Sequence, residues 1–527
     1  MRKFTIIIIL ICLFGFSNSA AIAQNLATDD EVLKQIWTEA MDNSQLKQLA
    51  HELLDVIGPR LVGTPQMKKA HDWAVEKYKG WGISARNEEW GKWRGWRRGI
   101  SHIDMMEPRV RTLEGTMMAW SPGTLGPLKA SCIIMPDVAD SIEFENWLPN
   151  VNGKFVLISM PQPTGRTDDN WEEFATEESF EKMKEERQKL RDDWRERVKK
   201  AGYNRRTLPK AIEDAGAAGI IASRWSNGWG VNKVLGTTTQ RIPTVDLSLE
   251  DYGLVYRLVE HGDNPIIRII ADAEFLGEVP TFNTIAEIKG TEKPDEYVIL
   301  SAHFDSWDGA SGATDNGTGT LTMMEAMRIL KKSYPKPKRT ILVGHWGSEE
   351  QGLNGSRAFV EDHPEIVENL QVLFNQDNGT GRVVRISGQG FIDAGMFLAK
   401  WLARVPSEVT RQINLRLPGR PSRGGSDNAS FVAAGAPAFS IGSLSWDYGT
   451  YTWHTNRDTY DKLVFDDLMN NVVLAASLAY LASEDPELVS REKRVMPVNQ
   501  ETGKPRPWPT PREHNRRGGF PKEDNRN

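Results

Sequence analysis

The sequence predicts an α/β protein. A three-layer α/β/α domain is expected on a mixed, mostly parallel sheet, with a smaller β-rich domain inserted into it. Three observations point there. From about residue 277, short apolar runs alternate with helical patterns. Residues 109–276 instead carry short β-rich runs separated by turn residues and one charged helix. The chain has 527 residues, more than one ordinary domain holds.

In chain order, residues 1–23 read as a secretory signal. Arg2 and Lys3 form a basic start, Phe4 to Phe16 an apolar stretch, and Ala21-Ile22-Ala23 a cleavage site. The mature chain is expected to begin near Gln24 and to be exported, periplasmic or extracellular. The apolar run is too short to span a bilayer, so no stable membrane insertion is expected after its removal. Residues from about 40 to 105 read as mainly helical. Leu46 to Ile57 ends at Gly58-Pro59, and Gln66 to Trp81 ends at Gly82. Trp90, Trp93 and Trp96, interleaved with Arg94, Arg97 and Arg98, read as a packing ridge with cation–π contacts.

Within 109–276, Lys129 to Met135, Lys154 to Met160, Gly219 to Ala222 and Ile266 to Ile270 are strand-like. Phe180 to Val198 is a charged helix with a narrow apolar stripe, expected to lie across its own domain. Further on, Tyr297 to Ala302, Thr340 to Trp346 and Gln371 to Asn375 read as strands, and Gly317 to Leu330 as a helix. The main domain is thus assembled from 24–108 and 277–485. Residues 486–527 are basic, rich in proline and poor in large apolar side chains, and are expected to be a disordered tail.

Composition narrows the function. Apolar residues at 39% and charged residues at 26% fit a globular protein. A net charge of −6 is not built to hold nucleic acid. Of the two cysteines, Cys12 lies in the signal, so Cys132 has no partner for an internal disulfide. Nothing in the sequence sets an oligomeric state.

The chemistry sits at strand ends, where ligands collect in such sheets. His303 closes the first run, with Asp305 two residues on to orient its ring. Asp315 stands at the mouth of a Gly-rich turn before a helix, where its two oxygens can serve two metals. Glu349 and Glu350 follow the second strand: one can bind metal while the other takes a proton from water. Asp377 follows the third strand. His454 lies among the polar turn residues Thr452 to Thr459. Singly each has a structural reading; together, in this order, they read as a metal site. The remaining histidines read as structural, including His345 on the strand before Glu349.

That order, His303, Asp315, Glu349-Glu350, Asp377 and His454, resembles the co-catalytic two-zinc exopeptidases, which include secreted leucyl-type aminopeptidases and carboxypeptidase Q. The resemblance implies two zinc ions per chain. Asp315 would bridge them, His303 and Asp377 would complete one site, and Glu350 and His454 the other. It implies hydrolysis of terminal peptide bonds of short peptides or dipeptides by a bridging hydroxide, with Glu349 as general base. It also implies a cis Asp315–Asn316 peptide. Residues 109–276, with Gly153-Lys154-Phe155-Val156-Leu157, resemble the protease-associated domain often inserted in this family. Thr455 stands where a second histidine is common. The loop Arg423-Gly424-Gly425-Ser426-Asp427 looks more like the aminopeptidases, while Thr281 to Glu287 looks like carboxypeptidase Q. Tyr448 and Tyr451 are the candidates for stabilising an oxyanion. The rival readings are a glutaminyl cyclase-like one-zinc acyltransferase and a non-catalytic receptor-like ectodomain. Neither needs the whole set.

Overall fold

The computed structural model describes residues 28–519. The expected signal segment lies outside the described residues. The sheet of the main domain runs, in spatial order, through Asn414–Arg416, Val383–Ser387, Ala438–Ser443, Leu370–Gln376, Lys293–His303, Arg339–Trp346 and Ile266–Ile288. The strand Lys293–His303 is central and pairs in parallel with both of its neighbours. Every position of Arg339–Trp346 and of Leu370–Gln376 is buried. Strands covered on both faces read as continuous apolar runs, which is why the sequence showed them so clearly.

The helices Thr318–Ser333, Phe465–Glu484 and Glu31–Met41 pack on one another and on the central strands. Asn354–Asp362 and Asn428–Ala433 form another packed pair, where Trp346 meets Phe359 and Phe431. The mixed α/β architecture expected from the sequence is present.

The main correction is at Ser84–Glu107. This segment, expected to be helical, is a long strand antiparallel to Ile266–Ile288. The three-residue spacing of Trp90, Trp93 and Trp96 mimics a helix. In the strand, register breaks at Glu89/Gly91 and Gly95/Trp96 reset the side-chain alternation, so all three indoles are buried. A bulge inserts one residue and shifts the pleat by one. The arginines do make cation–π contacts: Arg94 stacks 3.6 Å from Phe275 and Arg98 5.2 Å from Trp96.

Residues 109–276 build a further sheet region of Leu128–Ile134, Phe155–Leu157, Gly219–Ala222, Thr244–Leu247 and Gly115–Met117. Its side chains form apolar clusters around Phe155, Ile221 and Val245, and around Phe144, Val156 and Ile220. The expected boundary at 276 falls inside the continuous strand Ile266–Ile288. The helix Glu177–Lys200 has Thr176 as its cap and acidic residues in its first turn, both favourable at an N-terminus. It buries Met183, and its Trp194 Nε1 donates to the Ile158 carbonyl at 3.2 Å. It lies across its own region.

The tail is a second correction. Residues 486–519 run along the main domain instead of being disordered. Trp508 Nε1 donates to the Val432 carbonyl at 2.8 Å, and its ring meets Phe391 edge-on. Arg516 pairs with Asp362, and Arg517–Gly518 adds to the strand Ser84–Glu107. Composition counted the prolines and charges but not this half-buried indole and added strand.

Candidate metal centre

Because the three central strands are parallel and in register, their C-terminal ends coincide. His303 is the last residue of its strand and pairs in register with Trp346. Asp377 immediately follows its strand, and Glu349 and Glu350 lie in the turn after Trp346. Asp315 sits in the turn that leads into the helix Thr318–Ser333. His454 arrives from the opposite side, after the short helix Tyr448–Tyr451.

All five proposed ligands meet. His303 Nε2 lies 3.2 Å from Asp377 Oδ1 and 3.4 Å from Asp315 Oδ1. His454 Nε2 lies 2.9 Å from Glu350 Oε2 and 3.3 Å from Asp315 Oδ2. Within each trio, the donor atoms lie within 4.8 Å of one another. Asp315 belongs to both trios and turns a different oxygen to each. The Asp315–Asn316 peptide is cis, as the resemblance implied.

The donor atoms suit metal ions. Asp315 Oδ2 and Glu350 Oε1 are buried without a hydrogen bond. Buried carboxylate oxygens left so are costly unless a cation meets them. Imidazole nitrogen and carboxylate oxygen are donors that zinc accepts. The protonation pattern also reflects crowding of charge. Burial alone would lower the affinity of His303 for a proton, but Asp377, Asp305 and Asp315 hold it well above the usual imidazole range. Burial, then the Asp315 and Glu349 carboxylates, pushes Glu350 well up. Burial likewise raises Glu349, with Asp377, Asp427 and Asp305 adding and His303 opposing. Burial lowers His454.

Asp305 is where the site departs from the sequence reading. The Nδ1 of His303 faces the Asp305 backbone carbonyl at 3.0 Å, while the nearest Asp305 carboxylate oxygen is 3.7 Å away. That carboxylate instead accepts the backbone N–H groups of Glu349 at 3.0 Å and Glu350 at 3.2 Å. Asp305 therefore orients the glutamate turn through its side chain, and the histidine through its main chain. Asp458 plays the matching part across the site: it accepts the N–H of Thr314 at 2.7 Å and of Asp315 at 3.0 Å. Burial raises its carboxyl to about 7, and Asp315 adds to that.

Arg60 was missed in the sequence. It is fully buried and donates to the carbonyls of Phe304 at 2.7 Å, Ser311 at 2.7 Å and Gly312 at 2.9 Å. It thereby ties together the chain between His303 and Asp315. Gly312 has φ +61° and no room for a side chain, since a Cβ would stand 2.3 Å from Ser306 Cβ. Burial lowers Arg60 to about 10, while Asp458, Asp305 and Asp315 oppose the fall. No sequence signal marks Arg60, because its partners are backbone carbonyls far along the chain. Asp458 had a weak signal as an acid among threonines four residues after His454.

Tyr448 lies beside Asp315, whereas Tyr451 feels Asp169 and Asp447. Thr455 uses its hydroxyl on the Tyr451 carbonyl at 2.7 Å. His345 turns to the Tyr78 hydroxyl at 2.7 Å, in keeping with a structural role.

A mixed α/β sheet with two acid–histidine trios sharing one aspartate at its strand ends defines a metallopeptidase, a hydrolase. Residues 283–479 match Peptidase family M28. It is 26% identical to carboxypeptidase Q of Rattus norvegicus over 481 residues, covering 89% of this chain and 92% of the rat protein. For carboxypeptidase Q of Homo sapiens the identity is 26% over 492 residues, covering 91% and 95%. The fold is shared with the Peptidase M28 precursor of Shewanella amazonensis, at TM-score 0.63 and 24% identity over 91% of this chain and 98% of that one. It is also shared with BSAP, a zinc aminopeptidase from Bacillus subtilis, at TM-score 0.53 and 18% identity over 88% and 98%. No helix among the described residues is long and apolar enough to cross a membrane.

Proposed function

We propose that the protein is an exported exopeptidase acting on the termini of short peptides, with two zinc ions held by His303, Asp315, Glu350, Asp377 and His454. The observation that carries this is the two-sided placement of Asp315, whose Oδ1 faces His303 and whose Oδ2 faces His454. A one-metal acyltransferase has no use for that arrangement. Zinc held there would polarise the substrate carbonyl and lower the pKa of water towards about 7.

The chain's own groups do the rest. Glu349 stands beside the trios, and its carboxylate accepts no hydrogen bond from the described residues. Burial and neighbouring carboxylates raise its affinity for a proton, while the charge of bound zinc would keep it ionised until the water attacks. It is the group to take the proton of the attacking water and hand it to the leaving amine. The Tyr448 phenol is kept protonated by burial and by Asp315, Asp377 and Glu350, so its O–H remains a donor for the oxygen that gains charge. Asp305 and Asp458 hold the two turns in place.

The terminal preference is supported by residues 223–237 of the inserted region, read here as a protease-associated domain. Val234 N–H donates to the His454 carbonyl at 2.9 Å. Asn232 N–H donates to Asn456 Oδ1 at 2.9 Å, and Asn456 N–H donates back to the Asn232 carbonyl at 2.9 Å. We read this contact as a wall on the His454 side of the centre. The test compares a free dipeptide, its N-acetyl form and a long peptide blocked at both ends. Turnover of the free dipeptide, lost on chelation and restored by zinc, is expected. Acetylation is expected to cut kcat/KM strongly. Rapid cleavage of an internal bond in the blocked peptide would overturn the reading.

A further inference from the structure

We propose that Lys233 receives the free α-carboxylate of the substrate and so selects short peptides with an open C-terminus. The inference rests on the exopeptidase reading above and names a substrate feature for that same site.

Lys233 belongs to the inserted region, yet its side chain lies on the His454 loop. Its backbone is fixed there: Lys233 bridges Thr455, and its N–H donates to the Arg224 carbonyl at 2.9 Å. Its Nζ is 3.1 Å from the Trp453 carbonyl and 3.3 Å from that of Gly449. Both partners are neutral and both bonds are long. An ammonium group has three donors, so one remains for a ligand. Among the described residues Lys233 has no carboxylate partner.

Two other cations near the centre are spent. Arg60 is enclosed by backbone carbonyls, and Arg98 is paired with Asp308 at 2.7 Å. Lys233 is half-buried at the edge of the acidic cluster and feels the field of Asp315. Beside it, Trp453 is 41% exposed, lies 4.0 Å below the ammonium and has its ring centroid 4.2 Å from that of His454. Indole and ammonium together form an apolar shelf with a positive end, one residue away from a ligand histidine.

Consecutive Cα atoms are about 3.8 Å apart, so in a dipeptide the carboxylate lies one residue beyond the scissile bond. Lys233 is anchored one residue from His454, on the same scale.

The experiment compares zinc-loaded wild type, Lys233→Met and Lys233→Arg on a free dipeptide and on the same dipeptide as its C-terminal carboxamide. Lys233→Met is expected to raise KM for the free dipeptide about tenfold or more with kcat nearly kept, a loss of binding shared by ground and transition states. The carboxamide should stay within about twofold, and Lys233→Arg should restore most of the KM. Equal losses on both substrates would show a structural role and overturn the assignment, as would an unchanged KM for the free dipeptide. A wild type that cleaves neither substrate would refute the exopeptidase reading itself, and the Lys233 assignment with it.

Discussion

Asp458 accepts the backbone N–H of Asp315 at 3.0 Å, so a buried carboxylate holds in place the turn that carries the residue common to both trios. Groups that orient metal ligands typically contribute 10–100-fold in metal affinity or activity. Asp458→Ala is expected to weaken zinc binding by about that factor while the protein stays folded. Zinc affinity by competition with a chelator, alongside circular dichroism, checks it. Unchanged affinity would leave Asp458 as packing only.

Glu349→Gln removes a proton carrier and no ligand. It should keep its zinc and lose about 10²–10⁴-fold in kcat. Zinc content and steady-state kinetics on one dipeptide measure both. Activity within a factor of two of wild type would remove Glu349 from its role.

Arg60→Met leaves three buried carbonyls, those of Gly58, Phe304 and Gly312, without their donor. Each buried group left unsatisfied costs about 1–3 kcal/mol, so a loss of about 3 kcal/mol or more is expected in urea unfolding of the metal-free protein. A variant as stable as wild type would show that water replaces the guanidinium.

His71 and His345 are both buried, and burial lowers each imidazole to about 3. The unfolded chain titrates them near 6.5, so it takes up protons that the folded chain refuses. Their contribution is whole above pH about 6.5 and shrinks as pH falls towards 3, by about 1.4 kcal/mol per pH unit for each histidine. Between pH 7 and 5, His345→Gln should make stability less pH-dependent by about 2 kcal/mol. Urea melts with a chelator present, which removes the separate effect of metal, read this out. An unchanged slope would contradict a neutral His345.

The sequence carried much of the site because three of the ligands fall at or just after the end of a strand buried on both faces, where apolar runs stop abruptly at an acid or histidine. His303, Glu350 and Asp377 were legible for that reason. It did not carry what depends on distant backbone. The partners of Arg60 are carbonyls at 304–312, and the amides bound by the Asp305 carboxylate belong to residues 349 and 350. The strand Ser84–Glu107 was hidden by its bulges, which place tryptophans at helical spacing. The tail was hidden because one indole, Trp508, outweighs a run of prolines and charges.

Asp315 is proposed to serve two metals at once, and zinc content tests that most directly. Wild type and Asp315→Ala, each dialysed against limiting free zinc, would be measured by mass spectrometry of bound metal per chain. Two zinc ions on wild type and essentially none on the variant are expected, because the trios share that carboxylate. A wild type that saturates at one, or an Asp315→Ala variant that still holds two, would contradict it.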